Sequence, residues 1–306
     1  MKYYNSIINF RFGILTEKGW FIMKKVLAFL LSVIVSATVC VSLSACSGDD
    51  TIIVDTNAFF APFEYYSSGE EIVGVDVDIM NKVGEKLGKK VVFENTDFGV
   101  IIDNVQSGKK YDCGAAGITI TDARKEKVDF SEPYFTSIQY VVFKADDADM
   151  LSKVNKTASN GDCVFWSDLA GKKIGVQADT TGDIYVNIEI NGDGEVGSED
   201  YYAGELNGSG ATCTKYDNAT LAVDAIGSNK IDVVVVDKIP AEYICNKNSA
   251  YVCKALYYDA ETATEEQYAI CVTKGNTELL NAINAVLKEL GESGINALVS
   301  KHLGIE

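Results

Sequence analysis

Short apolar runs alternate with amphipathic stretches along most of the chain, and the pattern starts twice. Residues 51–55 (Thr-Ile-Ile-Val-Asp) read as a buried strand, and residues 59–66 form an aromatic loop. Residues 74–78 lead into a helix to about residue 87, with Val75, Ile79, Val83 and Leu87 at four-residue spacing and Gly88 to end it. A strand at 90–94 precedes a helix at 98–106, whose Ile101, Ile102 and Val105 share a face, with Gly108 as its stop. Residues 113–120 read as a small-residue strand and loop. After a polar stretch, 145–162, the pattern restarts with a strand at 173–177. A Gly-, Asn- and Ser-rich loop insertion at 191–212 follows, then a helix at 219–226 and a wholly apolar strand at 231–236. Another strand at 268–273 and amphipathic helices at 278–290 and 295–303 complete the chain. Strands alternating with helices predict βαβ units and a largely parallel sheet. A crossing near residue 144 and a return near 270 predict two lobes. Residues 51–143 plus 270–306 make the first, and 144–269 make the second with its insertion.

The N-terminal residues do not belong to that pattern. From Met23, two lysines precede an apolar run from Val26 to Val41, and Leu43-Ser44-Ala45-Cys46 follows. A basic start, an apolar middle and a small-residue end make a signal peptide; the run is short against the roughly 20 residues of a membrane span. The ending resembles the lipobox of bacterial lipoproteins, which implies that Cys46 becomes the lipidated first residue, with 46–50 a linker. A plain anchor helix with an incidental cysteine is the alternative. Residues 1–22 are read as an extension upstream of the true start, Met23, and 1–45 are set aside. The expected location is the cell envelope, lipid-anchored at the outer face of the cytoplasmic membrane, periplasmic in a diderm.

The chain of 306 residues carries a net charge of −17, and because residues 1–45 contribute +4, the remainder carries −21. Such acidity argues against nucleic acid and anionic lipid surfaces as partners. Beyond the export segment lie Cys113, Cys163, Cys213, Cys245, Cys253 and Cys271. Export permits disulfides, and 245–253 or 163–213 are candidate pairs, but connectivity is not readable from sequence. No C-x-x-C spacing supports a redox or zinc site. The single histidine, His302, is read as a surface residue of the last helix.

Four segments carry a resemblance. They are Phe60-Ala61-Pro62-Phe63-Glu64-Tyr65, Gly74-Val75-Asp76-Val77-Asp78-Ile79, Gly117-Ile118-Thr119-Ile120-Thr121-Asp122-Ala123-Arg124 and Val128-Asp129-Phe130-Ser131-Glu132-Pro133-Tyr134. Their order and spacing resemble the family 3 extracellular solute-binding proteins of amino-acid ABC transporters. Gly175-Val176-Gln177, Thr180-Thr181-Gly182-Asp183 and Val235-Val236-Asp237 extend the likeness more loosely. The resemblance implies a two-lobe, periplasmic-binding-protein-like α/β fold (type II). A hinge joins the lobes, and a free L-amino acid binds in the cleft between them. It also implies a monomer that hands its ligand to ABC permease subunits with their ATPase.

The chemistry such a ligand needs is present. A zwitterion leaves water only if each charge finds a partner, and a carboxylate suits the planar fork of arginine. Beyond residue 45 only Arg124 is available; a surface ion pair with Asp122 or Glu126 is its bland alternative. Asp237 ends the apolar strand, where open α/β sheets bind ligands; capping the next helix is its alternative. By resemblance, Arg124 binds the ligand carboxylate with Thr119 and Thr181 as further donors. Gly117 offers a carbonyl to the ammonium beside Asp237, and Phe60 and Phe98 sandwich the side chain unless they only pack the core. By the same resemblance, Asn57 stands where some binders of cationic amino acids carry aspartate, Glu64 being close enough in sequence to substitute although its motif position usually faces away, and Ala116 stands where some relatives carry serine, so a neutral polar ligand is favoured.

Asp76 and Asp78 are read as a pair on one face that caps the following helix. Asn191-Gly192-Asp193-Gly194-Glu195 spaces oxygen ligands like part of a calcium loop but lacks the full pattern. No Gly-rich phosphate loop, Ser-His-Asp set or metal cluster is present, so no cofactor, metal or catalytic residue is expected. An enzyme on the same fold, resembling a cyclohexadienyl dehydratase, and a ligand-sensing module are the competing functions.

Overall fold

The computed structural model describes residues 50–155 and 161–304. The signal peptide, Met23 and Cys46 lie outside them. The chain runs β1 (Thr51–Thr56), β2 (Phe59–Phe60), β3 (Glu64–Tyr66), β4 (Ile72–Val73), α1 (Val75–Leu87), β5 (Lys90–Asn95), α2 (Ile101–Ser107), β6 (Cys113–Gly114), α3 (Asp122–Lys125) and β7 (Val128–Phe130). Next come β8 (Phe135–Lys144), α4 (Ala148–Lys153), β9 (Cys163–Phe165), β10 (Lys173–Gln177), α5 (Thr181–Asn191), β11 (Thr212–Tyr216), α6 (Ala219–Gly227) and β12 (Val233–Asp237). It ends with α7 (Lys238–Lys247), β13 (Tyr251–Tyr257), β14 (Glu265–Tyr268), β15 (Cys271–Thr273) and α8 (Thr277–Leu303).

Two sheets define two lobes. The first has the order β5-β1-β6-β15-β7, and the second β11-β10-β12-β8-β13-β9. Pairing is parallel at β1–β5, β1–β6, β10–β11 and β10–β12, as the βαβ alternation requires, and antiparallel where β8 and β15 enter. The crossing comes earlier than residue 144. Phe135–Ile138 of β8 pair with β14, and Gln139 onward pair with β12 and β13 inside the second sheet. The region 268–273 is likewise two strands: β14 belongs to this hinge pair and β15 to the first sheet.

Burial explains the elements. Val75, Ile79, Met80 and Val83 of α1 are buried along one face. Gly88, left-handed at φ 67°, closes the helix by turning its N–H to Glu85 O. In β12, Val233 and Val235 pack into the second lobe's core, while Val234 and Val236 pack on the opposite face. That double burial is why the strand reads as continuously apolar, each valine contributing about 1.5–3 kcal/mol. The last two expected helices form one element, broken at Gly291 (φ 57°).

The helix α5 is absent from the sequence reading because it has no apolar stripe. Its buried positions include Thr181, Gly182, Asp183 and Glu189, while Ile184 is exposed. The insertion docks on its last turn: Tyr202 Oη and the Glu205 N–H both donate to Glu189 Oε2 at 2.8 Å, and Leu206 is buried in the second core.

Candidate functional site

The cleft between the sheets gathers the residues marked out by sequence. Asn57, Phe60, Phe98, Gly117 and Thr119 of the first lobe and Thr181 and Asp237 of the second line one small cavity. Ala116, Gln177 and Thr180 complete its wall. The lobes touch across it. Gln177 Nε2 donates to Asn57 Oδ1 at 3.1 Å, and the Thr119 and Thr181 hydroxyls are 3.4 Å apart.

Local structure positions each group. Gly117 is left-handed (φ 53°), and a Cβ there would lie 2.8 Å from the Phe60 ring, so only glycine fits under that wall. Its N–H donates to Asp76 Oδ2 at 2.9 Å. Phe60 is buried against Phe63 and Tyr268, with ring centroids 6.0 and 6.4 Å apart, so it both packs the core and faces the cleft. Thr180 caps α5 by accepting from the Asp183 N–H, which sets Thr181 in the first turn.

Arg124 sits apart from that cavity, in an adjoining one that shares Phe98 as a wall. Its guanidinium carbon lies 5.4 Å from the Phe98 ring centroid. Nη1 donates to Thr119 O at 2.8 Å, and Nη2 reaches across the cleft to Asp179 O at 3.2 Å. Neither Asp122 nor Glu126 pairs with it; Asp122 pairs with Lys125. Burial lowers the Arg124 pKa, and the carboxylates of Glu266 and Asp237 oppose that shift.

Asp237 is 5% exposed and makes no cap bond to α7. Tyr268 Oη donates to its Oδ1 at 2.6 Å. Burial, then the neighbouring carboxylate of Glu266, pushes its pKa up to about 8. Sequence reasoning missed Glu266. Its Oε2 accepts from the Thr119 and Thr181 hydroxyls at 2.7 Å each, and its Oε1 from Gln139 Nε2 at 2.7 Å. It also missed Gln177 as a wall residue. Asn57 Nδ2 donates to the Thr96 carbonyl at 2.7 Å, which can only accept. Asn57 Oδ1 therefore faces the Gln177 amide nitrogen. Gln177 Oε1 is left buried without a hydrogen-bond partner among the described residues.

Several readings are corrected. Asp76 and Asp78 do not share a face, because both fall in the first turn of a helix, two residues apart. Asp76 is buried and takes the Tyr134 hydroxyl as well as Gly117 N–H; burial raises its pKa to about 6. Glu64, buried beside it, is raised well above the usual range by burial and then by Asp76. Asp78 instead meets Lys301 and His302, at 2.6 and 2.9 Å. His302 is therefore tucked against α1, with Tyr65 on its other ring nitrogen, rather than a free surface group. All six described cysteines are free thiols. Cys163 on β9 and Cys213 on β11 lie at opposite edges of the second sheet, which rules out that pair. Cys245 and Cys253 are in hydrogen-bond contact.

Two α/β lobes joined by paired hinge strands, with polar and charged side chains converging in the cleft, define a cleft-type solute-binding protein. The chain belongs to the bacterial extracellular solute-binding proteins, family 3, whose model matches residues 52–305. It is 28% identical over 272 residues to the arginine-binding extracellular protein ArtP of Bacillus subtilis, covering 86% of this chain and 93% of the relative. It is 25% identical over 258 residues to the L-cystine-binding protein TcyJ of Escherichia coli, covering 84% of each. Among solved structures, an ancestral arginine-binding protein bound to arginine is 33% identical with a TM-score of 0.65, covering 82% of this chain and 97% of that one. An ancestral amino-acid-binding protein, a precursor of cyclohexadienyl dehydratase, is 29% identical with a TM-score of 0.65, covering 86% and 99%. The family and these curated relatives are binding proteins rather than enzymes. Among the described residues no helix is long and apolar enough to cross a membrane.

Proposed function

We propose that the chain, as a monomer anchored through Cys46, captures one free L-amino acid between its lobes and delivers it to the permease and ATPase of an ABC importer. The observation that carries this is the pairing of opposite charges at one cleft. Asp237 faces the cavity from the second lobe, and Arg124 reaches over its neighbour from the first. Asp237 suits an ammonium. Arg124 spends two of its N–H donors on Thr119 and Asp179 carbonyls, leaving others for a carboxylate. A ligand touching both lobes favours their closure by its differential affinity for the closed form.

The side chain is read as neutral and polar. Supporting this are the uncharged Asn57–Gln177 pair and the unfilled acceptor at Gln177 Oε1, which suits an N–H donor. The test is a thermal-shift screen of the twenty L-amino acids, followed by calorimetry. At a hundredfold excess over Kd a true ligand adds about 2.7 kcal/mol, a shift of several degrees. No shift from any amino acid refutes the proposal; consumption of the ligand, followed by mass spectrometry, would point to the enzyme instead.

A further inference from the structure

We infer that Glu266 is a positioning residue for the ligand's ammonium group, acting through the hydroxyls of Thr119 and Thr181. The inference rests on the amino-acid reading and revises how those two threonines work within it.

Glu266 is 3% exposed on β14, between the lobes, and among the described residues no Lys or Arg forms an ion pair with it. Its carboxylate is held instead by three neutral donors: two threonine hydroxyls, one from each lobe, and the Gln139 amide. A carboxylate only accepts, and a hydroxyl has a single proton. Both protons are therefore committed to Glu266 Oε2. What Thr119 and Thr181 turn toward the cavity is lone pairs, on oxygens 3.4 Å apart. Beside Asp237 they form a wall of acceptors.

Such a wall suits a group with three N–H donors and no acceptor. It repels a carboxylate, which would also sit beside the buried carboxylate of Glu266. The ligand's carboxylate is left to Arg124 and backbone N–H groups. Without Glu266 the same hydroxyls could rotate to donate, so the hinge acid fixes which end of the zwitterion faces which wall.

Glu266→Gln tests this with little change of shape. Gln139 Nε2 keeps an oxygen opposite it, so the new amide nitrogen faces the threonines and donates to them, sending their protons into the cavity. Calorimetry would compare wild type and variant with each of the twenty L-amino acids, and with the des-amino analogue of each one that binds. The expected result is a loss of about 10- to 100-fold for the amino acid and little change for its des-amino analogue. Equal losses for both, or no loss for either, overturn the inference while leaving the amino-acid reading standing. Failure of the wild type to bind any amino acid overturns both. Should Glu266→Gln not fold, Thr181→Val against Thr181→Ser gives the same comparison. Serine should retain ammonium discrimination and valine lose it; equal behaviour of the two again overturns the inference.

Discussion

Replacing Asp237 with asparagine should stabilise the ligand-free protein and abolish its response to ligand. In the unfolded chain this carboxyl titrates near its ordinary value of 3.8, while in the folded protein burial and Glu266 push it up to about 8. Between those two values the folded state binds more protons than the unfolded one, so stability falls as pH rises through the window. Each pKa unit corresponds to about 1.36 kcal/mol. At pH 7 the group therefore costs up to about 4 kcal/mol, and asparagine, which still accepts from Tyr268 Oη, should recover about 2–4 kcal/mol of it. The assay is urea denaturation of both proteins at pH 5 and pH 8 without ligand. The wild-type-minus-variant difference should grow with pH, and saturating amino acid should stabilise only the wild type. A pH-independent difference, or a variant no more stable than wild type at pH 8, would refute the argument. Retained ligand stabilisation would remove Asp237 from the site.

Arg124→Ala should abolish amino-acid binding by calorimetry while circular dichroism stays unchanged, since the side chain holds two carbonyls and the face of Phe98 but no core-packing partner; near-normal affinity would clear it of a role. Gly117→Ala should weaken binding about tenfold or more. Left-handed backbone costs a side chain about 1–2 kcal/mol, and the new Cβ would lie 2.8 Å from the Phe60 ring. Ligand binding at pH 7 should release a proton from Asp237, visible as a dependence of binding enthalpy on the buffer's ionisation enthalpy. Identical enthalpies in phosphate and Tris would contradict a protonated carboxyl in the ligand-free cleft.

The sequence is legible where one physical requirement dominates. β10 matches its expected bounds because Ile174 and Val176 are buried between polar ends at Lys173 and Gln177, and β12 was visible because both of its faces are buried. Seven of the eight expected ligand contacts line one cavity, and Arg124 lines the next; six of the eight sit in motifs whose spacing is tied to a turn or a helix start, while Asn57 and Phe98 lie outside those motifs. Glu266 was hidden in Glu265-Glu266-Gln267, a stretch that reads as a solvated acidic edge. Only the alternation of Thr264, Glu266 and Tyr268, all buried, hints at an inward face. The α5 helix was hidden for a related reason: its inner face carries Asp183 and Glu189, satisfied by partners distant in sequence. Asp76 and Asp78 were misread because alternation with valine means one face in a strand but opposite faces in a helix.

The hinge strands do more than join the lobes. β8 supplies Gln139, and β14 supplies Glu266 and Tyr268, whose hydroxyl bonds Asp237. These side chains lie beside the axis of any opening motion, yet they orient groups on both walls. If the first lobe swings away, Glu266 can stay with Thr119 or with Thr181 but not with both, and Gln177 loses Asn57. The closed form thus carries its own cross-cleft bonds before a ligand arrives. Each is worth only about 0.5–3 kcal/mol net, and burial beside Glu266 keeps Asp237 protonated at pH 7 until a cation enters. A ligand ammonium held between the two acids, with both lobes in contact, lets Asp237 ionise. Closure is therefore driven most by the group that brings a positive charge between two acids, which places the energetic centre of recognition at the hinge-facing end of the cleft.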